Sequence, residues 1–204
     1  MESLILLPIT TISLPFGSIP KVNPDIVMTP QVVLSQKLNT ADEMLSFNQE
    51  ADQKAKILKI QADAIDTYFK EHDMPLAGTG MKMALEADKN GLDYRLLPAI
   101  TARESTGGRH ACKNATYNSF DWGSCKISFD SNEEAIETIA KHLSGKVETT
   151  AKHYAEKTTK EILQKYNPPS VVPHYADQVM RIMAHIGEED VTASMPQILV
   201  VAKV

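Results

Sequence analysis

The chain has 204 residues, 43% of them hydrophobic and 23% charged, a composition that supplies a globular core and excludes a wholly disordered or collagen-like chain. Its 26 acidic residues against 21 basic ones leave a net charge of −5, so no overall field favours nucleic acid and no such partner is expected. Two cysteines, Cys112 and Cys125, are too few for a disulfide-framework minidomain.

Residues 1–30 read as an apolar segment and linker. MESLILLPITTISLPFGSIP carries Pro8, Pro15 and Pro20 and a single charge, Glu2. It therefore lacks both the basic start of a secretory signal and the unbroken apolar run of a spanning helix. Two readings stay open: a degenerate anchor or signal, which would bring membrane association, or a flexible lead-in. From Gln31 to Lys70 there is neither Pro nor Gly, and apolar residues recur in three- and four-residue steps through Leu34, Leu38, Ala41, Leu45, Ala55, Leu58, Ala62, Ile65 and Phe69. Residues 31–73 are accordingly an amphipathic helical stalk, as one helix or two in tandem. Asn48 and Asp52 interrupt its seam, which disfavours self-association as a coiled coil and favours packing of its C-terminal half on the domain.

The domain itself is expected over 74–187, mainly helical, with a small loop or hairpin lobe. Met74-Pro75-Leu76-Ala77-Gly78 is a turn; a helix through Met81, Ala84 and Leu85 follows and stops at Asn90-Gly91. The next helix runs from near Asp93 through Leu97, Pro98, Ile100 and Glu104 to Gly107-Gly108. Residues 109–130, rich in Asn, Ser, Gly and aromatics, are a loop or small hairpin. Ser131-Asn132-Glu133-Glu134 and Thr158-Thr159-Lys160-Glu161 both carry the capping-box spacing and start helices, the second ending at Asn167-Pro168-Pro169. A last helix through Tyr175, Val179, Ile182, Met183 and Ile186 is expected to end at Gly187, leaving 188–204 as a tail.

Glu104 is the residue whose placement asks for chemistry. It follows Ile100 by four positions and Leu97 by seven, so it shares their inward face, and it lies in the last turn, where the helix dipole disfavours an anion. Burial and dipole both raise a carboxyl pKa, and a carboxylic acid kept protonated near neutral pH can protonate the leaving oxygen of a glycosidic bond. The alternative is an ordinary helix-end ion pair with Arg103 or Arg109. The six histidines show no ligand spacing and two cysteines cannot form a four-thiolate zinc site, so neither metal nor cofactor is expected.

The runs GLDYRLLPAITARESTGG, NSFDWGSCKISFDSNEEAIETIAKHL and KEILQKYNPPSVVPHYADQVMRIM resemble the glucosaminidase family of lysozyme-like enzymes, glycoside hydrolase family 73, bacterial hydrolases of peptidoglycan. The shared features are a helix ending in Glu-Ser-x-x-Gly, an Asn-x-Phe-x-Trp-Gly loop, a Phe-x-Ser capped helix and a late Tyr-Asn-Pro. The resemblance implies a lysozyme-like fold and cleavage of β-1,4 bonds between N-acetylglucosamine and N-acetylmuramic acid, with Glu104 as general acid. It implies substrate contacts at Ser105, Asn118, Phe120, Trp122 and Tyr166. Tyr117, Phe120 and Trp122 could stack on sugar rings, or Trp122 could simply plug the loop onto the domain. The Tyr166 hydroxyl could serve substrate or Glu104, or the residue could be a core tyrosine under Pro168-Pro169.

Asp121 stands where the resemblance expects glycine, either shaping a left-handed turn, which Asp tolerates, or adding a carboxylate near the cleft; the turn reading is favoured. No second acid stands out, since Glu133 and Glu134 suit the first turn of a capped helix and Glu137 its solvated face. That pattern also fits a lytic transglycosylase using the same single acid. A non-catalytic glycan-binding cell-wall protein and a cytoplasmic helical adaptor are the other readings. Cys112 and Cys125 bracket a 14-residue segment holding the aromatic loop, and a disulfide there would fit an extracytoplasmic site of action, against the reading of two reduced thiols.

Overall fold

The computed structural model describes the backbone of residues 30–193 and the side chains of residues 46–187. The readings of the apolar N-terminal segment, of the seam at Leu34, Leu38, Ala41 and Leu45, and of residues 194–204 lie outside the described residues. Seven helices are present among the described residues: α1 (Pro30–Glu71), α2 (Gly80–Asn90), α3 (Leu96–Ser105), α4 (Asn132–Leu143), α5 (Glu148–Tyr154), α6 (Thr159–Tyr166) and α7 (Tyr175–Ala193). The fold is mainly α, and no described residue is in a strand, so the expected loop or hairpin at 109–130 is a loop. No helix among the described residues is long and apolar enough to cross a membrane.

The chain divides into two compact units, residues 1–47 and 48–204. In the second, Ala62, Ile65, Tyr68 and Phe69 of α1 join the core with Leu96, Leu97 and Ile100 of α3, Ile136 and Ile139 of α4, and Val179 and Ile186 of α7. The core thus takes in the C-terminal part of α1, and the folded unit starts at Asn48. The three- and four-residue spacing from Ala62 to Phe69 is the apolar stripe a helix buries. Gln31–Lys70 is also one helix, not two in tandem.

Helix ends follow local chemistry. Asp66, in α1, lends its carboxylate to the start of α2, where Oδ1 accepts the N–H of Gly78 at 2.7 Å and of Gly80 at 3.0 Å; Thr79, the residue at the cap, makes no such bond itself. This contact requires glycine at 80, because a Cβ there would stand 2.3 Å from the Ala62 carbonyl oxygen. Thr158 and Glu161 form the full reciprocal capping box at α6. At α4 the box is incomplete: Ser131 accepts from the Glu134 N–H, but the Glu134 carboxylate turns to the N–H of Asp130. Gly187 does not end the last helix, which continues to Ala193. A lone glycine costs a helix interior only about 1 kcal/mol, which the packed face of α7 offsets. The short helix α5 was not anticipated; Tyr154 is its one buried side chain.

Candidate active site

α3 packs against α7, and that pairing sets the site. α3 ends in three consecutive left-handed residues, Thr106 (φ 53°), Gly107 (φ 60°) and Gly108 (φ 97°). They pull the chain back under the helix, where the Gly107 carbonyl accepts the Leu76 N–H at 3.0 Å. A Cβ on Gly107 would lie 2.5 Å from that of Met74, so the turn closes only with glycine there. Glu104 stands one residue before the end of α3, half-buried, and lines a cleft of about 440 Å³ together with Asp121, Trp122, Gly123, Ser124, Tyr166 and Asn167.

Among the described residues its hydrogen-bond partner is Tyr175, at the start of α7, whose hydroxyl donates to Glu104 Oε1 at 2.5 Å. Burial pushes the Glu104 carboxyl above its ordinary range; the Tyr175 hydrogen bond opposes this, the charge of Asp121 adds to it and that of Arg103 opposes it. The net direction is upward. The ion-pair alternative is not what the geometry holds: Arg103 Nε donates to Gln178 Oε1 at 2.7 Å, with its guanidinium 5.7 Å from the Tyr175 ring centre, and Arg109 donates to the Asp73 carbonyl. Tyr175 is held by that guanidinium contact and by stacking on Tyr166, the rings 6.1 Å apart and 7° from parallel. Burial and the neighbouring Glu104 keep the Tyr175 phenol far above the usual range, so it stays a donor at every working pH.

The expected substrate contacts divide into two groups. Trp122 and Tyr166 line the cleft. Trp122 is also the plug of the other reading, its ring 5.3 Å from His142, 5.7 Å from Tyr166 and 6.5 Å from Tyr154. Ser105, Asn118 and Phe120, in contrast, are enclosed and are not among the residues that line the cleft. Ser105 Oγ donates to the Ser119 carbonyl at 2.7 Å and accepts the Gly108 N–H at 2.9 Å, tying loop to helix. Asn118 donates from Nδ2 to the carbonyls of Trp122 and Ile127 and accepts the Trp122 N–H, so one buried amide satisfies three backbone groups of an irregular loop. Phe120 is a core anchor with 1% exposure, and Tyr117, though exposed, does not line the cleft. The Tyr166 hydroxyl donates to the Phe120 carbonyl rather than to Glu104. The tyrosine that reaches the acid is Tyr175, which periodicity marked only as the first core residue of the last helix.

Cys112 and Cys125 form a disulfide, with a Cα–Cα distance of 5.5 Å, that closes the loop carrying Asp121, Trp122, Gly123 and Ser124. Such a bond persists in an oxidising compartment. The one group of metal-capable side chains among the described residues is Cys112, Asp121 and Cys125, and with both sulfurs in the disulfide it offers only a carboxylate. Glu137, considered above as a second acid, instead bridges Lys82 at 2.9 Å and Lys141 at 2.7 Å, which hold its carboxyl down at about 2. No family model, curated protein or solved structure matches the chain.

Proposed function

We propose that this protein is a lysozyme-like, extracytoplasmic glycosidase that cleaves β-1,4 bonds between N-acetylglucosamine and N-acetylmuramic acid in peptidoglycan, with Glu104 as general acid. The observation that carries the reading is a half-buried carboxyl with raised proton affinity, lining a cleft beside Trp122 and Tyr166 and held by the Tyr175 hydroxyl. A glycosidic leaving oxygen departs as an alcohol only if it is protonated as the bond breaks. A carboxyl whose proton affinity burial raises is placed to supply that proton, and such general-acid catalysis is worth about 10²–10⁴ in rate. Aromatic faces beside the acid suit the apolar faces of pyranose rings. The disulfide-closed loop fits a protein that works in the cell envelope.

The test is digestion of purified peptidoglycan by the full chain, followed by mass analysis of the released fragments. Fragments ending in reducing glucosamine are the expected result. Ends in reducing muramic acid or an anhydro ring would keep the general acid but change the bond or the acceptor, and intact glycan strands would overturn the proposal.

A further inference from the structure

The backbone of Asp121 is left-handed, at φ 52°, as a turn-forming role requires. A carboxylate that serves such a turn normally accepts a nearby backbone N–H. Among the described residues Asp121 accepts none, and its one polar contact there is Oδ1 against Cys112 Sγ at 3.3 Å, a sulfur that carries no proton in the disulfide. Nor does any cation pair with it among the described residues. A glycine or asparagine would take the same conformation without placing an unpaired negative charge beside a second acid. The turn therefore explains the backbone of Asp121 but not its carboxylate, which lines the same cleft as Glu104.

Building on the reading of Glu104 as general acid, we propose that Asp121 is the base that takes a proton from the attacking water, making the cleft hydrolytic. The glycosidic C1–O4 bond breaks as Glu104 gives its proton to O4, and the bond electrons leave with that oxygen. The water oxygen forms the new bond to C1 and passes one proton to the Asp121 carboxylate. Exchange with solvent then removes that proton and returns one to Glu104, so the sum is glycan plus water giving two shorter strands. No further reagent is required. The disulfide holds the base in place, since Asp121 lies between the two cysteines and touches one of them.

The experiment compares wild type with Glu104→Gln, Asp121→Asn and Asp121→Gly on peptidoglycan, with and without sodium azide. Asn and Gly both tolerate the left-handed turn, so the loop is kept. Expected is a loss of at least about 100-fold in reducing-end release for both Asp121 variants. Azide, a nucleophile that needs no base, should restore cleavage to Asp121→Gly and leave a glycosyl azide, while leaving wild type unchanged. A structural defect would not respond to azide. Cleavage by both Asp121 variants within about threefold of wild type, or a loss that azide does not rescue, overturns the role of Asp121. Anhydro ends from wild type overturn it as well, because ring closure consumes no water, yet they leave Glu104 standing. Intact glycan after wild-type digestion, or full activity in Glu104→Gln, removes the general-acid reading and the base with it.

Discussion

Replacing Cys112 and Cys125 together by alanine tests how the cleft wall is held. In the unfolded chain the disulfide closes a loop whose ends are 13 positions apart. Closing a loop of about 15 residues removes conformational entropy worth roughly 3 kcal/mol. The folded loop has other anchors: Asn118 keeps its three hydrogen bonds, and Ala115, Phe120 and Phe129 remain in the core. The variant should therefore fold, with the loss falling on the free-energy gap and not on the architecture. For domains of about 150–250 residues each kcal/mol shifts Tm by about 2–4 °C, so a fall of about 6–12 °C is expected. Circular dichroism melts of wild type and the double variant measure it, with urea unfolding as the check on the free energy. A Tm within about 2 °C of wild type would refute the reasoning, because it would mean that the cross-link removes little freedom from the unfolded chain.

Tyr175→Phe removes the hydrogen bond that favours ionised Glu104, so the Glu104 carboxyl should hold its proton to higher pH still. The alkaline limb of the pH–rate profile should move upward, and an unmoved or lowered limb would contradict the assignment. Tyr166→Phe orphans the Phe120 carbonyl and should cost about 1–3 kcal/mol in stability by chemical denaturation, with the cleft ring retained. Activity loss at unchanged stability would instead put its hydroxyl on the substrate. Burial alone would raise Glu86, but hydrogen bonds from Lys89 and Lys82 outweigh it and hold its carboxyl below the ordinary range. Its stabilising contribution is therefore present above the ordinary carboxylate pKa and lost as pH falls through the lowered folded value. The Tm gap between wild type and Glu86→Gln should shrink on acidification below about pH 4, and a gap independent of pH would count against the network.

What the sequence made legible was local. The Asn90-Gly91 stop, the Thr158 capping box and the inward face of Glu104 each depend on residues within one or two helical turns, so spacing alone exposes them. Spacing also offered the disulfide, because two cysteines around one irregular loop leave a single intrachain pairing. What stayed hidden was tertiary. Glu104 and Tyr175 are 71 positions apart, and nothing in either helix announces that α3 packs on α7. A phenol opening an amphipathic helix reads as core, and Tyr175 is core as well as partner to the acid. Motif resemblance assigned Ser105, Asn118 and Phe120 to substrate, whereas burial assigns them to holding the loop. Polar residues that satisfy an irregular backbone leave the same mark in a motif as residues that touch a ligand. The extension of α7 past Gly187 was missed because one glycine is a weak stop when the neighbouring turns are packed.

The rate at which Glu104→Gln cleaves purified peptidoglycan, relative to wild type, tests the central claim most directly. Gln keeps the shape of the side chain and can still accept the Tyr175 hydroxyl, but it has no proton to give. Because the folded carboxyl has a raised pKa, ionising it costs stability as pH rises, so the Gln variant should melt at or above the wild-type temperature at neutral pH. The account predicts a folded variant whose cleavage falls by at least about 100-fold; a folded variant that cleaves at the wild-type rate would contradict it.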